Sequence, residues 1–310
     1  MDILVESLSK NYGAQRAVNN ISFQIKRGEI IGFLGPNGAG KTTTMKIITC
    51  FMAPTEGDVK IGNHSIRENP ERLKQLIGYL PEHNPLYLDM PVIDYLKFVA
   101  QLQGVKKNMV EHRIREMVAK CGLNAEKHKK IGELSKGFRQ RVGLAQAMIH
   151  NPEILILDEP TTGLDPNQIV EIRNLIRELG KEKTVILSTH ILPEVEATCT
   201  RIMIINKGKI VADGSSATLR KQAQGQEILK VKIEDESDRN LIYASLRSID
   251  TVSLVDFLSA NENIFEIQSK SGSSSRRNIF EMCVRNKWIL TELSGIETRL
   301  EDIFRNLTMN

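Results

Sequence analysis

The eight residues Gly35-Pro36-Asn37-Gly38-Ala39-Gly40-Lys41-Thr42 satisfy the pattern G-x-x-x-x-G-K-[ST], and they lie between an apolar run at 30–34 and a stretch of helical character. A strand, a glycine-rich loop and a helix in that order point to an α/β fold built around a phosphate-binding loop. The glycines let the backbone curl so that successive N–H groups face phosphate oxygens, and the following helix adds the partial positive charge of its N-terminus. Lys41 can then reach the β- and γ-phosphates and the Thr42 hydroxyl can ligate Mg²⁺, with Thr43 next in the same turn. A nucleoside triphosphate site is implied. A dinucleotide fingerprint is excluded, because G-x-G-x-x-G beginning at Gly38 needs glycine where Thr43 stands.

The 310 residues leave room for one large domain and one small one. At 41% hydrophobic and 26% charged, the composition is that of a folded globular chain rather than a disordered one. No run approaches the roughly 18 apolar residues of a membrane span, and Met1-Asp2-Ile3 does not begin a signal peptide, so a cytosolic location is expected. Cys50, Cys121, Cys199 and Cys283 are dispersed with no C-x-x-C pair, which suggests neither zinc nor a disulfide framework. A net charge of +4 is too small to argue for nucleic acid, although it does not oppose docking near an anionic membrane.

Up to about residue 219, short apolar runs alternate with longer helical ones. Strands are predicted at 3–8, 21–25, 30–34, 58–61, 77–80, 154–157, 185–188 and 202–205, the last joined by the turn Asn206-Lys207-Gly208-Lys209 to a strand at 210–212. Val92, Tyr95, Leu96 and Val99 mark one helical face and Ile114, Met117 and Val118 another, predicting a helical insert over 91–123 within a helical region of about 88–150. Pro85 and Pro91 make its approach a stiff turn. The polar, small residues 222–226 suit a linker, giving domains 1–222 and 227–310. The second domain reads β-α-β-β-α-β, a small α+β ferredoxin-like sandwich, with a last helix at 298–307.

Residues 154–157 form an apolar run ending in Asp158-Glu159, as expected of a strand buried on both faces with its acids at the carboxyl end. Asp158 is positioned to hold Mg²⁺ through its water shell and Glu159 to polarise an attacking water. The run 184–189 repeats the design and puts His190 at the mouth of the sheet, where a γ-phosphate contact is expected. Leu134-Ser135-Lys136-Gly137 precedes an apolar helical stretch, with Ser135 as its N-cap. Alone, this is an ordinary capped amphipathic helix.

In combination it is more specific. The order phosphate loop, Leu-Ser-x-Gly cap, Asp158-Glu159, Gly163-Leu164-Asp165-Pro166, His190 resembles the ATP-binding subunits of ABC transporters across nearly all of residues 1–220. The resemblance implies a P-loop ABC ATPase domain that hydrolyses ATP with Mg²⁺. It also implies a head-to-tail homodimer, each ATP lying between the phosphate loop of one subunit and Ser135 and Gly137 of the other. Asp165 matches the loop that speaks across that interface, and Tyr12 matches the family's adenine-stacking aromatic. The lid-loop glutamine of the family is here Glu82, a candidate Mg²⁺ contact, and the usual Leu-Ser-Gly-Gly-Gln is altered at Lys136 and Phe138.

These departures and the appended domain resemble the ABC-2 exporter branch, and residues 82–87 and 300–305 resemble its gliding motility-associated ATP-binding subunits. The resemblance implies a separate integral membrane permease as partner, with this chain peripheral at the inner face of the cell membrane. A soluble ABC ATPase acting on ribosomes or DNA is the alternative. The chain's single cassette, without long heptad repeats or a Cys-rich cluster, argues against it.

Overall fold

The computed structural model describes residues 1–223, 227–235, 238–259, 262–270, 272–296 and 300–308. Two compact units emerge, 1–216 with 307–310, and 217–306.

In the larger unit, strands β1 (Ile3–Tyr12), β2 (Gln15–Ile25) and β3 (Ile30–Leu34) lead into α1 (Lys41–Ile48), then β4 (Glu56–Ile61), β5 (His64–Ser65), α2 (Pro70–Leu76) and β6 (Ile77–Leu80). The insert supplies α3 (Val92–Leu102), α4 (Lys107–Lys120) and α5 (Lys136–Met148), followed by β7 (Ile154–Asp158), α6 (Pro166–Gly180), β8 (Thr184–Thr189), α7 (Leu192–Thr198), β9 (Arg201–Asn206) and β10 (Lys209–Gly214). A six-stranded sheet runs β10-β9-β3-β8-β7-β6, parallel except for the β10 edge.

Strands β3, β7 and β8 are buried at every residue, as their unbroken apolar runs require when helices cover both faces. The two-residue turn between β9 and β10 has positive φ at both Lys207 and Gly208, the geometry that matches the twist of a hairpin. Asp158 closes β7, and Glu159 and His190 stand one residue beyond β7 and β8. Because β3, β8, β7 and β6 are successive neighbours, the phosphate loop, His190, Asp158-Glu159 and Glu82 all emerge at adjacent carboxyl ends.

Strands 3–12, 15–25 and 56–61 do not join that sheet. They form a separate antiparallel sheet, β2-β1-β4-β5, whose alternating burial marks one packed face. Its inward residues Ile3, Val5, Leu8, Val59 and Ile61 share one core with Phe33, Met45, Ile48 and Ile156 beneath the phosphate loop. A second core lies on the other side, where Tyr95, Leu96 and Val99 of α3, Ile114 and Val118 of α4, and Val142 and Ala145 of α5 pack with Leu155 and Leu157 of β7. The insert breaks between α3 and α4 at Gly104, where φ is +69°.

The smaller unit is described by itself. Strands β11 (Ile228–Glu234), β12 (Val252–Phe257), β13 (Ile264–Ser269) and β14 (Ile289–Gly295) lie in the order β12-β13-β11-β14, every pair antiparallel. Helices α9 (Arg239–Arg247) and α10 (Arg276–Asn286) contribute Ile242, Leu246, Ile279 and Cys283 to a core with Leu229, Val231 and Phe265. This is the ferredoxin-like arrangement that the β-α-β-β-α-β pattern predicts. The predicted linker begins inside α8 (Ser216–Ala223) rather than after it, and its residues 224–226 lie outside the described residues. The last helix is α11 (Leu300–Thr308); residues 298 and 299, predicted to open it, also lie outside.

Candidate active site

The loop between β3 and α1 curls tightly. Gly40 has φ +109°, and a Cβ there would stand 2.5 Å from the Ala17 carbonyl oxygen, so both conformation and space demand glycine. The Lys41 ammonium is buried and donates to the carbonyls of Gly35 at 2.8 Å and Pro36 at 3.2 Å. It lies 3.8 Å from Glu159 Oε1. Burial pulls its pKa below the ordinary lysine value, against the attraction of the Glu159, Asp158 and Glu82 carboxylates. A cation already desolvated and oriented interacts strongly with a phosphate oxygen.

A cavity of about 580 Å³ opens over this loop. The predicted residues Tyr12, Asn37, Gly38, Gly40, Lys41, Thr42, Thr43, Glu82, Glu159 and His190 line it, so most of the predicted set is gathered at one place. Gln15, Ala17 and Thr162 also line it and were missed, because nothing in their immediate sequence marks them. Tyr12 ends β1 and is exposed on one face, its hydroxyl donating to Met52 Sδ at 3.0 Å. Gly35, Pro36 and Ala39 belong to the loop's turn without lining the cavity.

Asp158 lies beneath, with no exposure; the Ser188 and Thr42 hydroxyls stand beside it, but neither carboxylate oxygen has a well-formed hydrogen bond. Burial raises its pKa. A buried, under-satisfied carboxylate beside a threonine hydroxyl and a phosphate loop is the donor set a hard divalent cation takes, so the residues present fit Mg²⁺.

Glu159 follows in the left-handed region at φ +49°, an uncommon conformation for a non-glycine residue, with its N–H donated to Ser188 at 2.8 Å. Its side chain is 6% exposed. His190 Nδ1 approaches Oε1 at 2.9 Å and Oε2 at 3.0 Å, and Thr162 Oγ1 donates to Oε2 at 3.2 Å. The structure thus puts His190 on Glu159. A histidine donating to Glu159 through Nδ1 can also donate to a phosphate through Nε2 only when both nitrogens carry protons.

Ser135 and Gly137 do not line this cavity. Ser135 caps α5, accepting from the Phe138 N–H at 3.4 Å. Asp165 caps α6 in the same way, accepting from Gln168 N at 2.9 Å. The two caps touch: a Cβ at Gly137 would stand 2.5 Å from the Gln168 amide carbon, and the Lys136 ammonium lies over Gly163. Arg141 of α5 also pairs with Glu171 of α6. The cap at 135–137 and the loop at 163–168 therefore form one surface.

Residues 18–162 match the ABC transporter family. The chain is 33% identical over 307 residues to the bacitracin transport ATP-binding protein BcrA of Bacillus licheniformis, covering 98% of this chain and 96% of that one. It is an ATP-binding subunit of the ABC transporter family. The linearmycin resistance ATP-binding protein LnrL of Bacillus subtilis (strain 168) is 32% identical over 306 residues, covering 98% of this chain and 97% of its own. The dimeric post-hydrolysis ATP-binding cassette MJ0796, bound to ADP and Pi, superposes with a TM-score of 0.63 at 26% identity, over 69% of this chain and 98% of that one. As an ABC ATPase this chain binds ATP with Mg²⁺. Members of the family dimerise and work with membrane permease subunits. Among its described residues no helix is long and apolar enough to cross a membrane.

Proposed function

We propose that this chain is the motor of an exporter, hydrolysing ATP in a head-to-tail homodimer at the inner face of the cell membrane to drive a separate permease. The observation that carries this is the division of the predicted site. Lys41, Thr42, Glu159 and His190 face one cavity, whereas Ser135 caps α5, with Gly137 in its first turn, away from that cavity on the same chain. A second copy turned head to tail supplies the missing cap, and the partial positive charge of a helix N-terminus suits a phosphate.

In this reading Lys41 and the loop amides hold the β- and γ-phosphates, and Tyr12 stacks on the base, a contact of roughly 1–3 kcal/mol. Thr42 and Asp158, with Glu82 at the rim, hold Mg²⁺, which neutralises charge developing on the phosphates. Glu159 orients and polarises the attacking water, and His190 holds that carboxylate. The smaller unit, residues 217–306, serves regulation or docking, having no phosphate loop of its own.

The permease is proposed to dock in a groove of about 530 Å³ bordered by Phe51, Leu102, Tyr79 and His150. Phe51 and Leu102 are 72% and 70% exposed there, large apolar side chains available to a partner. Tyr79 lies on β6, three residues before Glu82, so an occupant bears on the strand that carries Glu82 to the ATP cavity. Export of an antibiotic is supported by the names of the two relatives. A motility exporter is the finer proposal, supported by segments 82–87 and 300–305.

The test is purification of the tagged chain from detergent-solubilised membranes. A membrane-spanning protein should accompany it and raise its ATPase rate. Recovery with ribosomes or nucleic acid, and with no membrane protein, would contradict the proposal.

A further inference from the structure

Behind Glu159 sits a second buried acid. Glu194, on α7, is 3% exposed and faces Thr161 and Thr189 rather than solvent. Thr161 Oγ1 donates to Glu194 Oε1 at 2.6 Å. Thr189 Oγ1 lies between the two acids, 3.2 Å from Glu194 Oε2 and 3.4 Å from Glu159 Oε2, and it accepts from the Ile191 N–H at 3.1 Å. The charged or titratable groups around Glu194 are Glu159 beyond β7, Arg173 on α6 and Cys199 at the end of α7.

A threonine hydroxyl has one proton and two lone pairs. If both acids are ionised, the Thr189 proton satisfies only one of them and a lone pair faces the other. If Glu194 is held as the neutral acid, every group is served: Glu194 donates to Thr189, Ile191 donates to Thr189, and Thr189 donates to Glu159. Burial pushes the Glu194 carboxyl up, in the direction of the neutral form.

We propose that Glu194 and Thr189 are positioning residues for hydrolysis, a buried hydrogen-bond relay that fixes Glu159 Oε2 from behind while His190 and Thr162 hold it from the cavity side. Glu159 needs such support because it stands one residue beyond β7 with its backbone in the left-handed region, and its N–H bond to the Ser188 carbonyl fixes the backbone but not the carboxylate. The relay also joins Thr161, in the turn after Glu159, to α7, so β7, β8 and α7 converge on one carboxylate. This rests on the reading of Glu159 as the group that polarises water.

The experiment measures kcat and KM for ATP with Mg²⁺ on the full chain as wild type, Glu159→Gln, Thr189→Val, Glu194→Ala, Glu194→Gln and the Thr189→Val/Glu194→Ala double variant. Thr189→Val and Glu194→Ala should each lower kcat about tenfold with KM within about twofold, since Glu159 is misplaced while the phosphate contacts remain. The double variant should be no slower than about twofold below either single one, because both cut one relay. Glu194→Gln should stay within about threefold of wild type, its amide oxygen accepting from Thr161 and its N–H donating to Thr189.

A Thr189→Val kcat within twofold of wild type overturns the relay, as does a double variant about a hundredfold down or a Glu194→Gln as slow as Glu194→Ala. Thr189→Val and Glu194→Gln keep side-chain volume and decide the matter if Glu194→Ala misfolds. Glu159→Gln separates the two readings: if it turns over ATP normally, the role of Glu159 fails; if it is inactive while Thr189→Val is normal, only the relay fails.

Discussion

Replacing Asp158 with Asn should stabilise the Mg²⁺-free protein while destroying its Mg²⁺-dependent activity. Asp158 is fully buried, no salt bridge reaches it among the described residues, and the Ser188 and Thr42 hydroxyls beside it offset its desolvation only in part. An unsatisfied buried polar group costs about 1–3 kcal/mol, and a charged one more. Asn removes the charge but interacts more weakly with the two hydroxyls and forfeits attraction to Lys41, so a net gain of about 1 kcal/mol is expected. For a unit of this size that corresponds to a rise of about 2–4 °C in Tm.

The gap should depend on pH with a definite sign. Burial raises the folded-state pKa of Asp158 above its unfolded value, so wild type is favoured while the acid is protonated in both states and loses stability as pH rises through the raised value. The Asn variant lacks that loss, and its advantage widens with pH. Thermal melts in chelator at several pH values measure this.

Saturating Mg²⁺-nucleotide should reverse the order, because a ligand at a hundredfold its Kd adds about 2.7 kcal/mol to a protein that binds it. A variant melting below wild type in chelator, or gaining equally from Mg²⁺-nucleotide, would refute the reasoning.

Lys41→Ala should abolish ATP turnover without unfolding the chain, since it removes a charge-assisted phosphate contact of roughly 1.5–3 kcal/mol; wild-type hydrolysis by the folded variant would remove Lys41 from the site. A chain ending near Ala223 should still bind ATP, as the nucleotide cavity draws all its lining from the first 190 residues; isothermal titration of the folded truncation checks this. Glu82→Gln should leave ATP affinity within about tenfold, roughly 1.4 kcal/mol, yet change how strongly the reconstituted permease stimulates hydrolysis; equal stimulation would leave Glu82 without a coupling role.

The parts of the site legible in the sequence were those written contiguously. The phosphate loop, Asp158-Glu159 and His190 each follow an apolar strand that announces itself, and a parallel sheet carries all three to one edge. The antiparallel sheet was not separated from it, although the alternating burial of β1 and β2 against the fully buried β3 is the physical difference. Helix α2 was missed too, despite Pro70 at its first turn and Glu71 beside it. The relay could not be read, because Thr161, Thr189 and Glu194 are single polar residues whose partnership exists only once β7, β8 and α7 close together. The linker fell short because Gln222 and Ala223, polar and small, continue a helix whose earlier turns set its course.

The central claim, that two copies close on ATP and that Glu159 acts after they do, is tested most directly with Glu159→Gln. The substitution keeps shape and hydrogen bonding but removes the carboxylate that polarises water. Light scattering of the purified variant should show monomer without nucleotide and a dimer that accumulates with ATP and Mg²⁺, while hydrolysis is lost. Monomer alone at saturating ATP and Mg²⁺, with hydrolysis lost all the same, would contradict the account.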